Sequence, residues 1–124
     1  SMQKKILLIE DDAVLSERMA SALRQAGFGV LTAFDGEEGL RRVESEHPDL
    51  ILLDLVLPKV DGLTIAKRLS QDQNLKNIPV IILTVMEKTA SYESVLEGTG
   101  YEYLVKSDFN VVDLVAKIKE KLHA

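Results

Sequence analysis

Two acidic positions dominate the chemistry legible in this sequence. In KILLIEDD, residues 5–12, an apolar run from Ile6 to Ile9 leads into three consecutive acids, Glu10, Asp11 and Asp12. In DLILLD an aliphatic run ends the same way, on Asp54. Two further apolar runs end on polar side chains: VIIL precedes Thr84 and YLV precedes Lys106. Carboxylates a few ångströms apart repel one another unless protonated or bridged by a cation. A hard divalent ion is the natural bridge, and Mg²⁺ favours one or two carboxylates together with waters and phosphate oxygens. A lysine and a hydroxyl on the far side suit a transferred phosphoryl group, one by balancing charge and the other by donating a hydrogen bond. A carboxylate between them can act as a nucleophile and form an aspartyl phosphate.

That chemistry requires elements that bring the four positions together. Residues 5–10 read as a strand whose interior, Ile6 to Ile9, is continuously apolar, as in a strand buried on both faces. Leu15, Met19, Ala22, Leu23 and Ala26 then recur at helical spacing, with Gly27 placed to end the helix. The same strand-then-helix unit repeats along the chain. Strands are expected at residues 30–34, 50–53, 80–83 and 101–105. Helices are expected at 36–46, 63–69, about 88–97 and from Val111 to Leu122. Strands alternating with helices predict an α/β fold: one flavodoxin-like domain, its five parallel strands in the order 2-1-3-4-5, with helices on both faces. Strands 1, 3, 4 and 5 are then adjacent. Glu10, Asp11, Asp54, Thr84 and Lys106 all meet beyond their carboxyl ends, where ligands bind in such sheets.

Composition narrows the classes. The chain has 124 residues, enough for one domain with an ordinary core, and a formal charge of -5, which gives this domain no electrostatic reason to grip nucleic acid. With no cysteine, disulfides, thiolate metal sites and cysteine nucleophiles are excluded. No apolar run approaches a membrane span and no secretory signal is visible, so a cytoplasmic location and no membrane partner are expected. Ser1 ahead of Met2 reads as a cloning remnant, with residues 1–4 as remnant and lead-in. His47 and His123 are isolated and expected at the surface.

KILLIEDD, DLILLDLVLPKVDGL, VIILT and YLVK, in this order, resemble the four motifs of response regulator receiver domains, the CheY-like family of two-component signalling. The resemblance covers nearly the whole chain and implies a receiver domain over residues 5–122, with no effector domain in this chain. It also implies the following roles. Asp54 is the phosphoacceptor, and Thr84 and Lys106 contact the phosphoryl group. Glu10, Asp11, Asp54 and the backbone carbonyl of Val56 hold Mg²⁺. Thr84 and Tyr103 are the switch pair, and Gly62 belongs to the loop after strand 3. The implied partners are a sensor histidine kinase or histidine phosphotransfer protein and a downstream protein target. The target is met through the surface of the fourth helix, fifth strand and fifth helix, by a monomer or a phosphorylation-linked dimer. The family signals rather than turns over substrates. Val56 and Met86, both apolar, fall where the family tunes its self-dephosphorylation, so a long-lived phosphoryl group is expected.

Three positions depart from the pattern. Ser107 stands where the family usually has proline, Val85 where it has a small residue, and Gly39 where the second helix has alanine. Gly39 is expected to cost that helix about 0.5–1 kcal/mol. Asp12, just ahead of the first helix, reads as an N-cap rather than a ligand. Rival readings remain: a small Mg²⁺-dependent phosphatase, a flavodoxin-like FMN protein and a pseudo-receiver used only for protein contacts. A phosphatase of the haloacid-dehalogenase type places a second acid two residues after its nucleophile; here that residue is Val56. FMN binding needs small hydroxyl and glycine residues after strand 1, where this chain has acids.

Overall fold

The computed structural model describes residues 3–85, 93–94, 96–106 and 110–123. Among them five strands and four helices alternate: β1 (Lys5–Ile9), α1 (Ala13–Gln25), β2 (Gly29–Ala33), α2 (Gly36–Glu46), β3 (Leu50–Asp54), α3 (Gly62–Gln71), β4 (Val80–Thr84), β5 (Glu102–Val105) and a C-terminal helix (Val111–Leu122). The sheet is parallel throughout, in the order β2-β1-β3-β4-β5, as expected. Glu93, Ser94 and Leu96 are helical, and the rest of the helix expected at 88–97 falls largely outside the described residues, as do Met86 and Ser107. Among the described residues no helix is long and apolar enough to cross a membrane.

The uninterrupted apolar strands have a simple cause. In β1, Ile6 and Leu8 pack with Met19 and Leu23 of α1 and with Leu114 and Ile118 of the C-terminal helix. Leu7 and Ile9 turn the other way, toward Val43 of α2 and Ile65 and Leu69 of α3. β3 alternates likewise, Leu50 and Leu52 against Ile51 and Leu53, and β4 sets Ile81 and Leu83 against Val80 and Ile82. Period-two alternation between two helical layers leaves no position for a polar residue until the strand emerges. Each fully buried Leu or Ile contributes about 1.5–3 kcal/mol.

All four described helices begin at the carboxyl end of the sheet, and each is capped by an Asp or Asn. Asp12 accepts from the amides of Val14 and Leu15, Asp35 from Glu38, Asp61 from Thr64 and Asn110 from Asp113. Each cap satisfies amides the helix leaves open and contributes about 1 kcal/mol. The reading of Asp12 as a cap therefore holds. Asp12, Asp35 and Asp61 at this pole thus serve the fold as caps.

Candidate cation and phosphoryl site

β1 and β3 are paired with Ile9 opposite Leu53, so the next residues along, Glu10 and Asp54, emerge side by side. Both follow the alternation of the layer that faces α1 and the C-terminal helix. Both are nearly buried, Glu10 at 2% and Asp54 at 7% exposure. Asp11, one residue further, is exposed. Carboxylate oxygens of Glu10, Asp11 and Asp54 lie within 4.8 Å of one another. This donor set suits a hard divalent ion: all oxygen, two acids fixed by burial and one open to solvent, with room for waters on the exposed side.

The two buried acids are held by one device used twice. Lys106 Nζ donates to Glu10 Oε1 and, at 3.2 Å, to Asp54 Oδ2. The second oxygen of each acid accepts a backbone amide two residues on: Asp12 N to Glu10 Oε2 at 3.2 Å, and Val56 N to Asp54 Oδ1 at 3.1 Å. Burial pushes the Glu10 carboxyl above its usual range, and the neighbouring Asp54 adds to this, against the opposing pull of Lys106 and the Asp12 amide. Burial alone would lower Lys106, but the hydrogen bond to Glu10 and the charge of Asp54 outweigh it, and its ammonium is held above the usual value.

Lys106 reaches the acids because its backbone amide donates to Thr84 O at 2.7 Å, which extends the β4–β5 pairing by one residue. Thr84 ends β4 and is fully buried. It continues the alternation of Val80 and Ile82, the layer in which Tyr101 and Tyr103 pack half-buried. The structure thus brings Glu10, Asp11, Asp54 and Lys106 into one cluster. It places Thr84 at the adjoining strand end, with Tyr103 on that side of the sheet. Val85 is 72% exposed and Val56 53%, so both are rim residues.

Other positioning groups are visible only in three dimensions. The loop from Leu55 to Asp61 passes hard against two glycines. A methyl on Gly62 would lie 2.1 Å from the Asp54 carbonyl oxygen, and one on Gly36 would lie 1.7 Å from that of Val60. The Gly62 amide donates to Leu55 O at 2.9 Å and the Gly36 amide to Pro58 O at 3.2 Å. Lys59, at a φ of 67°, pairs with Asp35 at 3.6 Å. Gly62 stood out in the sequence, whereas Gly36 did not; the Asp35-Gly36 pair, one residue beyond β2, was the available signal. Gly39 also gains a reason, since a methyl there would meet Ile9 Cδ1 at 2.8 Å.

Comparison with known proteins agrees with this geometry. Residues 6–119 match the response regulator receiver domain family. Relatives include the DNA-binding dual master transcriptional regulator RpaA of Synechocystis sp., 36% identical over 118 residues, which are 95% of this chain and 48% of that protein. PhoP of Bacillus subtilis, an alkaline phosphatase synthesis transcriptional regulatory protein, is also 36% identical over 95% of this chain and 48% of its own length. The chain thus spans about half the length of these curated relatives. Among solved structures, a CheY-like receiver domain protein from Methanospirillum hungatei superimposes with a TM-score of 0.88 at 28% identity, covering 98% of this chain and 95% of that one. A putative response regulator from Chloroflexus aurantiacus gives 0.85 at 31% identity, covering 99% and 100%. Nothing in these relationships favours a phosphatase, a flavin protein or a pseudo-receiver. The chain belongs to the response regulator receiver domain family of two-component signalling.

Proposed function

We propose that Asp54 is the phosphoacceptor and that residues 5–122 form the receiver unit around it. The observation that carries this is the placement of Asp54: nearly buried, between the acids of β1 and the lysine after β5, with one oxygen fixed by the Val56 amide. An Asp54 oxygen attacks the phosphorus of a donor phosphohistidine. The N–P bond breaks, its electron pair returns to the imidazole nitrogen, and an acyl phosphate is left on Asp54. Glu10, Asp11 and Asp54, with the Val56 carbonyl, are the groups to hold Mg²⁺, which when bound neutralises charge on the acids and the entering phosphoryl oxygens. Lys106 balances the remaining charge. Thr84 donates to a phosphoryl oxygen, and its movement with Tyr103 changes the surface of the 88–97 segment, β5 and the C-terminal helix.

A protein donor fits the surroundings. Val14, Phe34, Val56, Val85 and Val112 are the large exposed hydrophobics among the described residues. One follows each of the five strands, so they ring the acidic pole. Clustered exposed apolar residues favour contact with another protein. We therefore read the donor as a cytoplasmic sensor histidine kinase or phosphotransfer protein, and the chain as a switch without external turnover. The test is to titrate acetyl phosphate or beryllofluoride in the presence of Mg²⁺ while recording amide NMR spectra. Shifts around Asp54, Thr84 and Tyr103 that vanish in Asp54→Ala are expected; an unchanged spectrum in the wild-type protein contradicts the reading.

A further inference from the structure

Away from the acidic pole, Tyr101 directly ahead of β5 and Tyr103 within it lie two residues apart and pack half-buried on the same side of the sheet. With Glu93, Leu96 and Glu97 they line a cavity of about 390 Å³. Its frame is fixed by backbone. The Glu97 amide donates to Glu93 O at 2.8 Å, a helical turn that sets two exposed carboxylates on one face. Thr99 Oγ1 donates to Leu96 O at 2.7 Å and accepts from the Tyr101 amide at 3.1 Å, which ties that turn to the start of β5. Two features of the lining are unfinished. The Tyr101 hydroxyl is closed off from solvent with no hydrogen-bond partner among the described residues, and burial pushes it up, so it stays protonated. Glu93 and Glu97 enter no ion pair among the described residues.

Buried tyrosine hydroxyls in finished structures have a partner. A neutral guest would answer the hydroxyl and leave the carboxylates, and a metal ion would answer the carboxylates and leave the rings. A guanidinium answers all three: its plane stacks on a tyrosine ring, and its fork of N–H groups reaches carboxylates and a hydroxyl oxygen together. We propose that this cavity receives an arginine side chain of a partner protein, its guanidinium against the Tyr101 and Tyr103 rings and its N–H groups on Glu93, Glu97 and the Tyr101 hydroxyl. The volume suits one long side chain rather than an extended cofactor. Arginine and tyrosine are enriched at protein interfaces, and a net charge of -5 draws a cationic partner. The Tyr101 ring is half-buried, and exposed side chains such as those of Glu93 and Glu97 re-orient within nanoseconds, so the closed hydroxyl is within a guest's reach.

This gives a chemistry to the downstream partner and rests on the reading above for that partner's role alone. Binding is therefore measured on the unphosphorylated chain, where failure leaves Asp54 as the acceptor untouched. The probes are the capped tripeptide Gly-Arg-Gly, its citrulline counterpart, which keeps the shape without the charge, and free arginine, each titrated while amide NMR spectra are recorded. The arginine peptide should give saturable shifts centred on residues 93–103, and the citrulline peptide none. Glu93→Gln with Glu97→Gln should weaken binding about fivefold or more. Tyr101→Phe should melt no lower than wild type, since the hydroxyl it deletes has no partner, yet bind the arginine peptide about threefold more weakly. Equal shifts with citrulline, shifts confined to the acidic pole around Asp54, or no saturable shift at millimolar peptide overturns the proposal. Free arginine binding as tightly as the peptide overturns the protein source of the guanidinium.

Discussion

The corner after β1 and the corner after β3 deliver the same product by different means. Each presents a buried carboxylate with one oxygen on Lys106 and the other on an amide two residues ahead. After β1 the chain enters α1 directly. Asp12 supplies both the amide that holds Glu10 and the side chain that caps the helix, so one residue joins the site to the helix. After β3 the chain makes a detour through residues 55–61. That loop buries Leu55 and Leu57 in the core and ends on Asp61, the cap of α3, and it is pinned between them by close contact with Gly36 and Gly62 and by the Lys59–Asp35 pair. Both corners use hydrogen bonds, but the second also depends on the absence of two side chains. Their failure modes should therefore differ.

The largest effects should fall on the second corner. Gly36→Ala and Gly62→Ala put a methyl into backbone that cannot withdraw, and each should cost about 3 kcal/mol or more in urea unfolding. Any folded fraction should bind Mg²⁺ poorly, because the Val56 amide and the acceptor move with the loop. Denaturation midpoints near wild type would show that the loop is not pinned there.

A smaller loss is expected at the first corner. Asp12→Ala should cost about 1 kcal/mol through the lost cap, while Asp12→Asn, which keeps an acceptor, should change stability and Mg²⁺ binding little. Asp11→Asn should do the reverse, leaving unfolding unchanged and weakening Mg²⁺ binding and phosphorylation. Equal effects of Asp11→Asn and Asp12→Asn on Mg²⁺ binding would mean that the division between ligand and cap is wrong.

Asp35 links the corners to pH. The amide of Glu38 above all, opposed by some burial and aided by Lys59, holds its carboxyl below the usual range. A group depressed in the folded state contributes stability above its unfolded pKa and loses it as pH falls through the folded value. Acid unfolding curves should therefore fall less steeply below about pH 4 for Asp35→Asn than for wild type; parallel curves would rule out this contribution.

The smallest effect should be Gly39→Ala. A gain in helix propensity of about 0.5–1 kcal/mol is set against the methyl's contact with Ile9, and the two should nearly cancel. A full propensity gain in the measured stability would show that Ile9 yields freely.

These differences also explain what the sequence disclosed. The strand order, the meeting of Glu10, Asp11, Asp54 and Lys106 and the capping role of Asp12 were legible, because each follows from periodicity, topology or residue type at a helix start. The pinning by Gly36 was not, since a glycine after an aspartate reads first as a turn and its value lies in a carbonyl some two dozen residues away. The cost assigned to Gly39 counted the helix alone and missed Ile9. The paired amides of Asp12 and Val56 carry no side-chain signal at all. They follow from the register that sets Glu10 beside Asp54 and from the backbone just beyond each strand.

The central claim is that one carboxylate, Asp54, takes the phosphoryl group. Acetyl phosphate with Mg²⁺, followed by borohydride reduction of the acyl phosphate and peptide mass spectrometry, tests it most directly. We predict a single Mg²⁺-dependent modification at residue 54, absent in Asp54→Ala. Modification at Glu10 or Asp11 instead, or labelling that persists in Asp54→Ala, would contradict it.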